Sequence, residues 1–501
     1  MAIVLLVILF VITWYLLDTF YFKRLKYPAG PAPLPLIGNL HCIDPKDTYN
    51  AFSQWKKKYG PIYTCWFGNV PAVVLSDYNV LNEALIKNSD AFGSRFAYGR
   101  MTALVRDGYE DVGLLDEGRP EVFQEQRRFF SSFIRSLNSD GIRLEDRIFV
   151  EVNDFLAELH SACSESQPVS FVSLIDRSVG SIISSLIFGS RYQKSRILEF
   201  QYLKSTINEF LVYISDPLAL SVANQRINFA VFPPFRERYK RIERTRNKLF
   251  KFMHDKINER EQLKETGGLH ENVCLIDAFL QKIHDGVNSK VYNRKMLVNM
   301  MFDLFSAGQD TTSHTIAFIL LYVLNSPETQ LKIHEELDQV ISQNRPITSS
   351  DRQKLPFFNA VINEGQRLAN LIPVNLFQKT LRDVTVCGHQ IKAGTCILPQ
   401  ISCVMFDDTV FSEPLEFRPE RFLNEDGSLR KILEFIPFSL GRRQCLGENI
   451  AGLELFLFLS NMFNQFEILP VDPENPPSTT KTLGMTAQPQ PFDIMLKNRW
   501  N

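Results

Sequence analysis

Phe438-Ser-Leu-Gly441-Arg-Arg443-Gln-Cys445-Leu-Gly447 is the most informative run in this 501-residue chain. A cysteine between glutamine and leucine is, taken alone, a small packed core residue. Its neighbours argue otherwise. Glycines four positions before and two after permit a tight loop whose backbone can lie against a flat ligand. Arg443 supplies positive charge that favours a thiolate and can pair with an anionic group. Backbone N–H groups just after the cysteine can hydrogen-bond its sulfur. An apolar helix follows, and the positive end of its dipole also favours the anion.

Composition narrows the classes. With 45% hydrophobic and 12% aromatic residues, the chain can bury a large core, as several domains or around one cofactor. A net charge of −1 gives no whole-protein field for nucleic acid or acidic ligands. The eight cysteines, at 42, 65, 163, 274, 387, 396, 403 and 445, are too sparse for a disulfide scaffold and show no zinc-ligand spacing. They fit a reducing compartment.

The N-terminus departs from this average. Ala2 to Leu17 is apolar or aromatic apart from Thr13, and Phe20, Tyr21 and Phe22 follow. A helix from Ile3 to Phe22 would be about 30 Å long, enough to cross a bilayer core. The rival reading, a cleaved signal peptide, lacks a charged leading region and a small-residue cleavage site. Lys23, Arg24 and Lys26 end the run, so the rest of the chain is expected on the cytosolic side. Pro28-Ala-Gly-Pro31-Ala-Pro33-Leu-Pro35 is then a stiff extended connector. The expected organisation is an anchor over 1–22, a basic flank and hinge over 23–39, and one body over 40–501.

Alternating residues predict a hairpin over 61–76. Helical periodicity then dominates to about 370, with helices expected over 78–88, 121–135, 140–163, 170–187, 195–215, 236–264, 293–325, 328–343 and 351–369. Strand-like segments follow over 383–399, and a last helix over 447–463. The fold class is therefore mainly α with small β-sheets (α+β), carrying an N-terminal transmembrane helix. Phe229-Ala-Val-Phe232-Pro-Pro-Phe235, beside a basic helix start, either dips into the same membrane or packs its aromatics inward.

Ala307-Gly308-Gln309-Asp310-Thr311-Thr312 lies in the middle of the 293–325 helix between apolar flanks. Glycine, aspartate and threonines are poor choices there. A threonine hydroxyl bonding back to the carbonyl four residues earlier loosens a helix. The residues are either a satisfied polar face or a distortion that admits a small ligand, with Thr311 and Asp310 relaying protons. Glu364 and Arg367, three apart, have the spacing of an ordinary surface pair, as do Glu125–Arg128 and Glu243–Arg246. The chain has no Gly-x-Gly-x-x-Gly after a strand, no Walker-type loop and no Gly-x-Ser-x-Gly elbow.

With Phe438, Gly441, Arg443, Cys445 and Gly447 in Phe-x-x-Gly-x-Arg-x-Cys-x-Gly order, the sequence resembles the cytochrome P450 family, and the likeness covers essentially the whole chain, from the anchor and Pro-rich hinge to the last strands. Leu355-Pro-Phe-Phe-Asn-Ala-Val-Ile-Asn-Glu and Phe417-Arg-Pro-Glu-Arg-Phe make it similar to animal microsomal forms of the drug- and lipid-oxidising type. The resemblance implies heme b (iron protoporphyrin IX) with Cys445 as its axial thiolate ligand. It also implies a proton-relaying Asp310-Thr311 and a structural network of Glu364, Arg367 and Arg421. Arg443 and Arg127 become the propionate partners. Here the chain departs from the family, which has tryptophan four residues before that arginine where this one has Phe123. Gln378 or Lys379 stands where a further basic contact is common, and neither is carried over.

The implied activity is a monooxygenase that inserts one atom of O₂ into a lipophilic substrate. Electrons come from NADPH through a separate flavoprotein, NADPH-cytochrome reductase, or from a cytochrome b-type donor. The location is the endoplasmic reticulum membrane, single-pass, with a cytosolic catalytic domain. Arg119, Arg127, Arg128, Arg135, Arg430, Lys431 and Arg442 would form the basic docking face. Substrate walls are expected at 97–118, 204–213, 229–236, 300–308, 372–377 and 482–486, with Phe210, Phe305, Phe377 and Met485 as lining. The alternative within the same cofactor class is a peroxide-rearranging isomerase that needs no reductase; Asp310-Thr311 argues against it.

Overall fold

The first element follows directly from its composition. In the computed structural model, which describes residues 2–35, 37–44, 47–97, 99–108, 113–115, 118–139, 143–216, 232–233, 235–267, 274–341 and 345–500, helix α1 (Ala2–Leu17) runs on into a π-helical turn over Asp18–Phe22. Its apolar side chains point outward, Ile3, Leu6 and Phe10 among them. Such a surface is satisfied only in an apolar medium. Phe171–Phe188 is also apolar enough to span, but 72% of it is buried in the body, so it is a core helix.

The Pro-rich stretch is tied to the body rather than free. The Thr64 N–H donates to the Ala29 carbonyl at 3.2 Å. Buried Asn39 donates from Nδ2 to the Ala32 carbonyl (3.0 Å) and accepts the Trp66 N–H (2.8 Å). A Cβ on Gly30 would stand 2.0 Å from the Thr64 carbonyl oxygen, so only glycine allows this approach.

Helix α2 (Thr48–Tyr59), absent from the sequence expectations, starts at an Asp47 cap and packs Phe52 and Trp55 on the first sheet. That sheet has five strands, in the order Ile62–Phe67, Val70–Leu75, Cys396–Pro399, Gln378–Lys379 and Ser94–Arg95. Strands β1 (Ile62–Phe67) and β2 (Val70–Leu75) form the expected hairpin. Between β2 and β3 (Ser94–Arg95) the predicted 78–88 helix divides into α3 (Tyr78–Asn82) and a π-turn over Glu83–Lys87. Then come α4 (Arg100–Val105), α5 (Pro120–Ser139) and α6 (Leu144–Ser164). After the short strand β4 (Val169–Ser170) follow α7 (Phe171–Phe188), α8 (Ile197–Ile214), α9 (Phe235–Glu265) and α10 (Leu275–His284). Residues 229–231 and 234 of the aromatic segment, and 140–142 of an expected helix, lie outside the described residues.

The centre of the body is α11 (Arg294–Leu324), capped by the Asn293 side chain, which accepts the Met296 N–H. It is apolar nearly all round because α7, α9 and the later helices Pro356–Ala369 and Glu448–Gln465 surround it. Helix α12 (Pro327–Val340) follows. The expected 351–369 helix is interrupted: a 3₁₀ segment over Ser349–Lys354 gives way at Leu355 to α13 (Pro356–Ala369). Pro356 pushes Leu355 out of helical geometry and starts the new helix at its first position. Strands β5 (Gln378–Lys379) and β8 (Cys396–Pro399) return to the first sheet, β8 pairing parallel with β2, while β6 (Val384–Val386) and β7 (His389–Ile391) between them form a separate two-stranded ribbon. After the short α14 (Ser402–Met405) and the cysteine loop comes α15 (Glu448–Gln465). Strand β12 (Asp493–Asn498) pairs with β4 on one side and with β9 (Phe466–Pro470) on the other, and β10 (Lys481–Leu483) pairs with β11 (Ala487–Pro489). One large apolar cluster links α5 to α13 and α15, and a second lies under the first sheet.

Candidate active site

Cys445 sits in the connection between a 3₁₀ turn (Gly441–Arg443) and α15. The loop closes on itself through the Cys445 N–H, which donates to the Phe438 carbonyl at 3.1 Å. Ser439 and Gly441 have φ of 63° and 80°. At Gly441 a Cβ would also come within 2.3 Å of the Leu85 carbonyl oxygen, so no other residue fits. The Gly447 and Glu448 N–H groups and the Arg127 charge draw the thiol toward ionisation, but burial is the stronger effect and raises its pKa. Yet Cys445 is among the exposed cysteines. Both hold if the sulfur faces an internal space walled by protein. A Cβ on Gly447 would find only the Cys445 sulfur within 4 Å. A soft anionic ligand backed by N–H donors and flanked by cations fits an iron porphyrin.

The cations are held from both sides. Arg443, buried, donates from Nε to the Gly93 carbonyl at 2.9 Å, and its guanidinium lies 3.5 Å from the Phe123 ring centroid. Phe123, standing where the family has tryptophan, thus stacks on the loop arginine. Arg127 donates to the Gln444 carbonyl at 2.7 Å and so clamps α5 to the cysteine loop. Gln378 is buried with Oε1 lacking a hydrogen-bond partner.

Helix α11 supplies the other wall. Ala307 is exposed in the middle of this otherwise buried helix, which identifies an internal space beside it. Thr311 Oγ1 donates to the Ala307 carbonyl at 2.6 Å, the back-bond its sequence position suggests. The expected distortion is not seen; the α-helix is continuous from Arg294 to Leu324. Gly308 serves packing, because a Cβ there would lie 2.8 Å from Ile183 Cδ1 of α7.

Asp310, one residue before Thr311, points about 100° away around the helix. Its Oδ1 accepts Lys204 Nζ of α8 at 2.6 Å, and the same ammonium lies 2.9 Å from Asp176 of α7. Burial works against the charge of Lys204, but the two carboxylates outweigh it and hold its pKa above the usual lysine value. Nothing in the sequence signals this partner, 106 residues away.

Glu364 and Arg367 are fully buried and meet Arg421, whose side chain is 6% exposed. Arg367 Nε and Nη2 donate to Glu364 at 2.7 and 2.8 Å, and Arg421 Nε donates at 3.1 Å. Arg367 Nη1 also donates to the Met405 and Pro414 carbonyls at 3.0 and 2.8 Å. Glu243, with the same spacing to Arg246, is exposed, and Arg246 instead bonds the Leu104 carbonyl and Asp107. The network locks the end of α13 to the 412–421 segment leading into the cysteine loop.

Of the expected docking residues, Arg127, Arg128, Arg135 and Arg442 line one cleft of about 510 Å³ with Phe123 and Gly441. Arg119, Arg430 and Lys431 are not among its lining residues. Two expected lining aromatics are core instead. Phe305 stacks on Phe188 at 5.6 Å, and Phe210 meets Phe302 edge-on at 5.4 Å. Phe377 packs edge-on against Phe67, and Met485 is exposed. The 97–118 wall, whose residues 98, 109–112, 116 and 117 lie outside the described ones, is anchored by a buried ion pair that the sequence did not announce. Arg106 Nη1 lies 2.6 Å from Asp303 Oδ1, and Asp303 Oδ2 accepts the Leu114 and Leu115 N–H groups.

The cytochrome P450 family profile matches residues 28–496. Cytochrome P450 2A9 of Mesocricetus auratus is 32% identical over 470 residues, covering 92% of each chain. Cytochrome P450 2C23 of Rattus norvegicus is 32% identical over 490 residues, 95% of this chain and 94% of that one. Cytochrome P450 2E1 of Oryctolagus cuniculus is 30% identical over 493 residues, covering 97% and 96%.

Proposed function

The chain belongs to the cytochrome P450 family, and from that premise we propose the roles its own residues play: Cys445 as axial thiolate, Arg443 and Arg127 as cations for the cofactor's carboxylates, and Thr311 with Asp310 as the proton relay. The protein is a heme-dependent monooxygenase of lipophilic substrates, an oxidoreductase that works at the endoplasmic reticulum membrane with a cytosolic catalytic domain. Heme b, when bound, activates O₂ with electrons that reach it from NADPH through a separate reductase.

One observation carries the assignment of Cys445: it is exposed within a part-buried loop, with N–H donors from Gly447 and Glu448 and the Arg127 charge behind its sulfur. Those donors offset part of the cost of burying a thiolate and tune its electron donation. Phe438 closes the loop by accepting the Cys445 N–H, and Gly441 and Gly447 leave the backbone beside the sulfur without side chains. Thr311 donates to Ala307, which leaves its oxygen free to accept and pass a proton at the helix face where Ala307 is exposed. Lys204, at 14% side-chain exposure, leads from the surface to Asp310. Glu364, Arg367 and Arg421 act structurally, holding the loop side of the site. The cleft of Arg128, Arg135 and Arg442 lies on the Cys445 side and suits an acidic electron donor.

We assign residues 1–22 to the membrane anchor, 23–39 to the basic flank and hinge, and 40–501 to the catalytic body. The hinge contacts at Ala29 and Asn39 support a fixed posture of the body against the bilayer. Incubation of the full-length protein with reductase, NADPH and ¹⁸O₂ across fatty acids, steroids and drug-like compounds tests the activity. Monooxygenation places one ¹⁸O in product and consumes NADPH; conversion of hydroperoxides alone, with no NADPH use, would overturn the relay and docking assignments together.

A further inference from the structure

On the face of α11 turned toward α7 and α8, three side chains with metal-binding chemistry converge: Asp176 of α7, and Asp310 and His314 one turn apart on α11. A ligand atom from each lies within 4.8 Å of the others. The group is more than an acidic cluster. His314 is 5% exposed and its Nδ1 has no hydrogen-bond partner, and neither has the buried Oδ2 of Asp310.

We propose that Asp176, Asp310 and His314 form a binding site for a divalent transition cation of the zinc class, entered by displacement of the Lys204 ammonium. Lys204 already acts as the resident cation, at 2.6 Å from Asp310 and 2.9 Å from Asp176. Its single charge leaves the pair of carboxylates net negative, whereas a divalent ion neutralises them. Two carboxylates and an imidazole suit zinc rather than calcium or magnesium, which take oxygen ligands. Ligand atoms around a tetrahedral zinc stand about 3.3 Å apart at bonds of about 2.0 Å, so small side-chain rotations close the site. Asp176 is already oriented by Ser313 Oγ, which donates to its Oδ1 at 2.6 Å, with Gln309 Nε2 at 3.4 Å. Lys204 and Asp176 each keep 14% exposure, which gives both an exit for the ammonium and an entry for the ion.

Occupancy takes Lys204 off Asp310. Any effect on turnover rests on the relay role of Asp310; occupancy itself does not. Equilibrium dialysis of the full-length, heme-loaded protein against buffered free zinc, with bound metal counted by mass spectrometry, therefore tests the site alone. Wild type is expected to hold one more zinc per chain than His314→Leu at the same free zinc, with affinity in that variant lowered at least about 10-fold. Lys204→Met, freed of the competing charge, binds more tightly than wild type. Equal zinc content in wild type and His314→Leu overturns the proposal. If Lys204→Met fails to load heme, Asp176→Asn takes its place as the second variant, and its zinc must fall with that of His314→Leu.

Discussion

Glu364→Gln separates a buried scaffold from a surface ion pair at identical sequence spacing. In the native chain Glu364 and Arg367 are both fully buried and Arg421 is 6% exposed by its side chain, so no water compensates a lost charge. Removing one member of a buried ion pair costs about 3–5 kcal/mol, most of it from the charge left behind. Two features set the value here. Arg367 keeps the Met405 and Pro414 carbonyls as acceptors, which softens the loss. Two guanidiniums rather than one are left facing a neutral amide, together with the Arg418 N–H that also donates to Glu364. The expected cost is therefore about 3 kcal/mol or more. Glu243→Gln, exposed and with its i+3 arginine engaged elsewhere, should cost under about 0.5 kcal/mol. Urea unfolding of both variants, followed by far-ultraviolet circular dichroism at fixed heme content, supplies the comparison. A Glu364→Gln loss under about 1 kcal/mol, or equal to that of Glu243→Gln, refutes the reasoning.

Glu454 of α15 is buried by its neighbours, with both carboxyl oxygens lacking a hydrogen bond, and its pKa is pushed up to about 8; the Thr312 hydroxyl nearby opposes this only weakly. The folded chain thus keeps a proton that the unfolded chain loses near pH 4.3, so stability falls as pH rises between those values, by at most about 1.4 kcal/mol per unit. Glu454→Gln should flatten that slope in a pH series of urea midpoints; an unchanged slope means the carboxyl is not protonated. Thr311→Ala should keep NADPH consumption while product per NADPH falls, by up to about 100-fold, read as coupling efficiency against water and peroxide formed. Charge reversal at Arg128 and Arg442 should raise the KM for reductase at low salt and lose that effect above about 0.5 M salt, where screening reaches a few ångströms; a KM that does not move places docking elsewhere.

Much of the site is legible in the sequence because its elements are local. The cysteine loop, the Asp310-Thr311 helix and the Glu364-x-x-Arg367 turn each lie within one element, in a fixed order along the chain. The helical period gave α11 its bounds to within one residue at each end. What escaped was non-local or context-dependent. Lys204 on Asp310 and Arg106 on Asp303 join elements 106 and 197 residues apart, and no local pattern encodes such pairs. Phe210 and Phe305 look like pocket residues by position but are claimed by neighbouring aromatics. Helices α2, α4 and α10 are short, with too few turns for a period to declare itself. The break before Pro356 needed only the proline rule, which the apolar periodicity overrode.

Iron binding through the Cys445 thiolate is the prediction on which every other role at the site depends. Reduced, carbon monoxide-treated samples of the full-length wild type and Cys445→Ser test it in one difference spectrum. The wild type should give the red-shifted Soret band of a thiolate-ligated heme, and the serine variant should lose it while the seven other cysteines remain. The same band in both proteins would contradict the account.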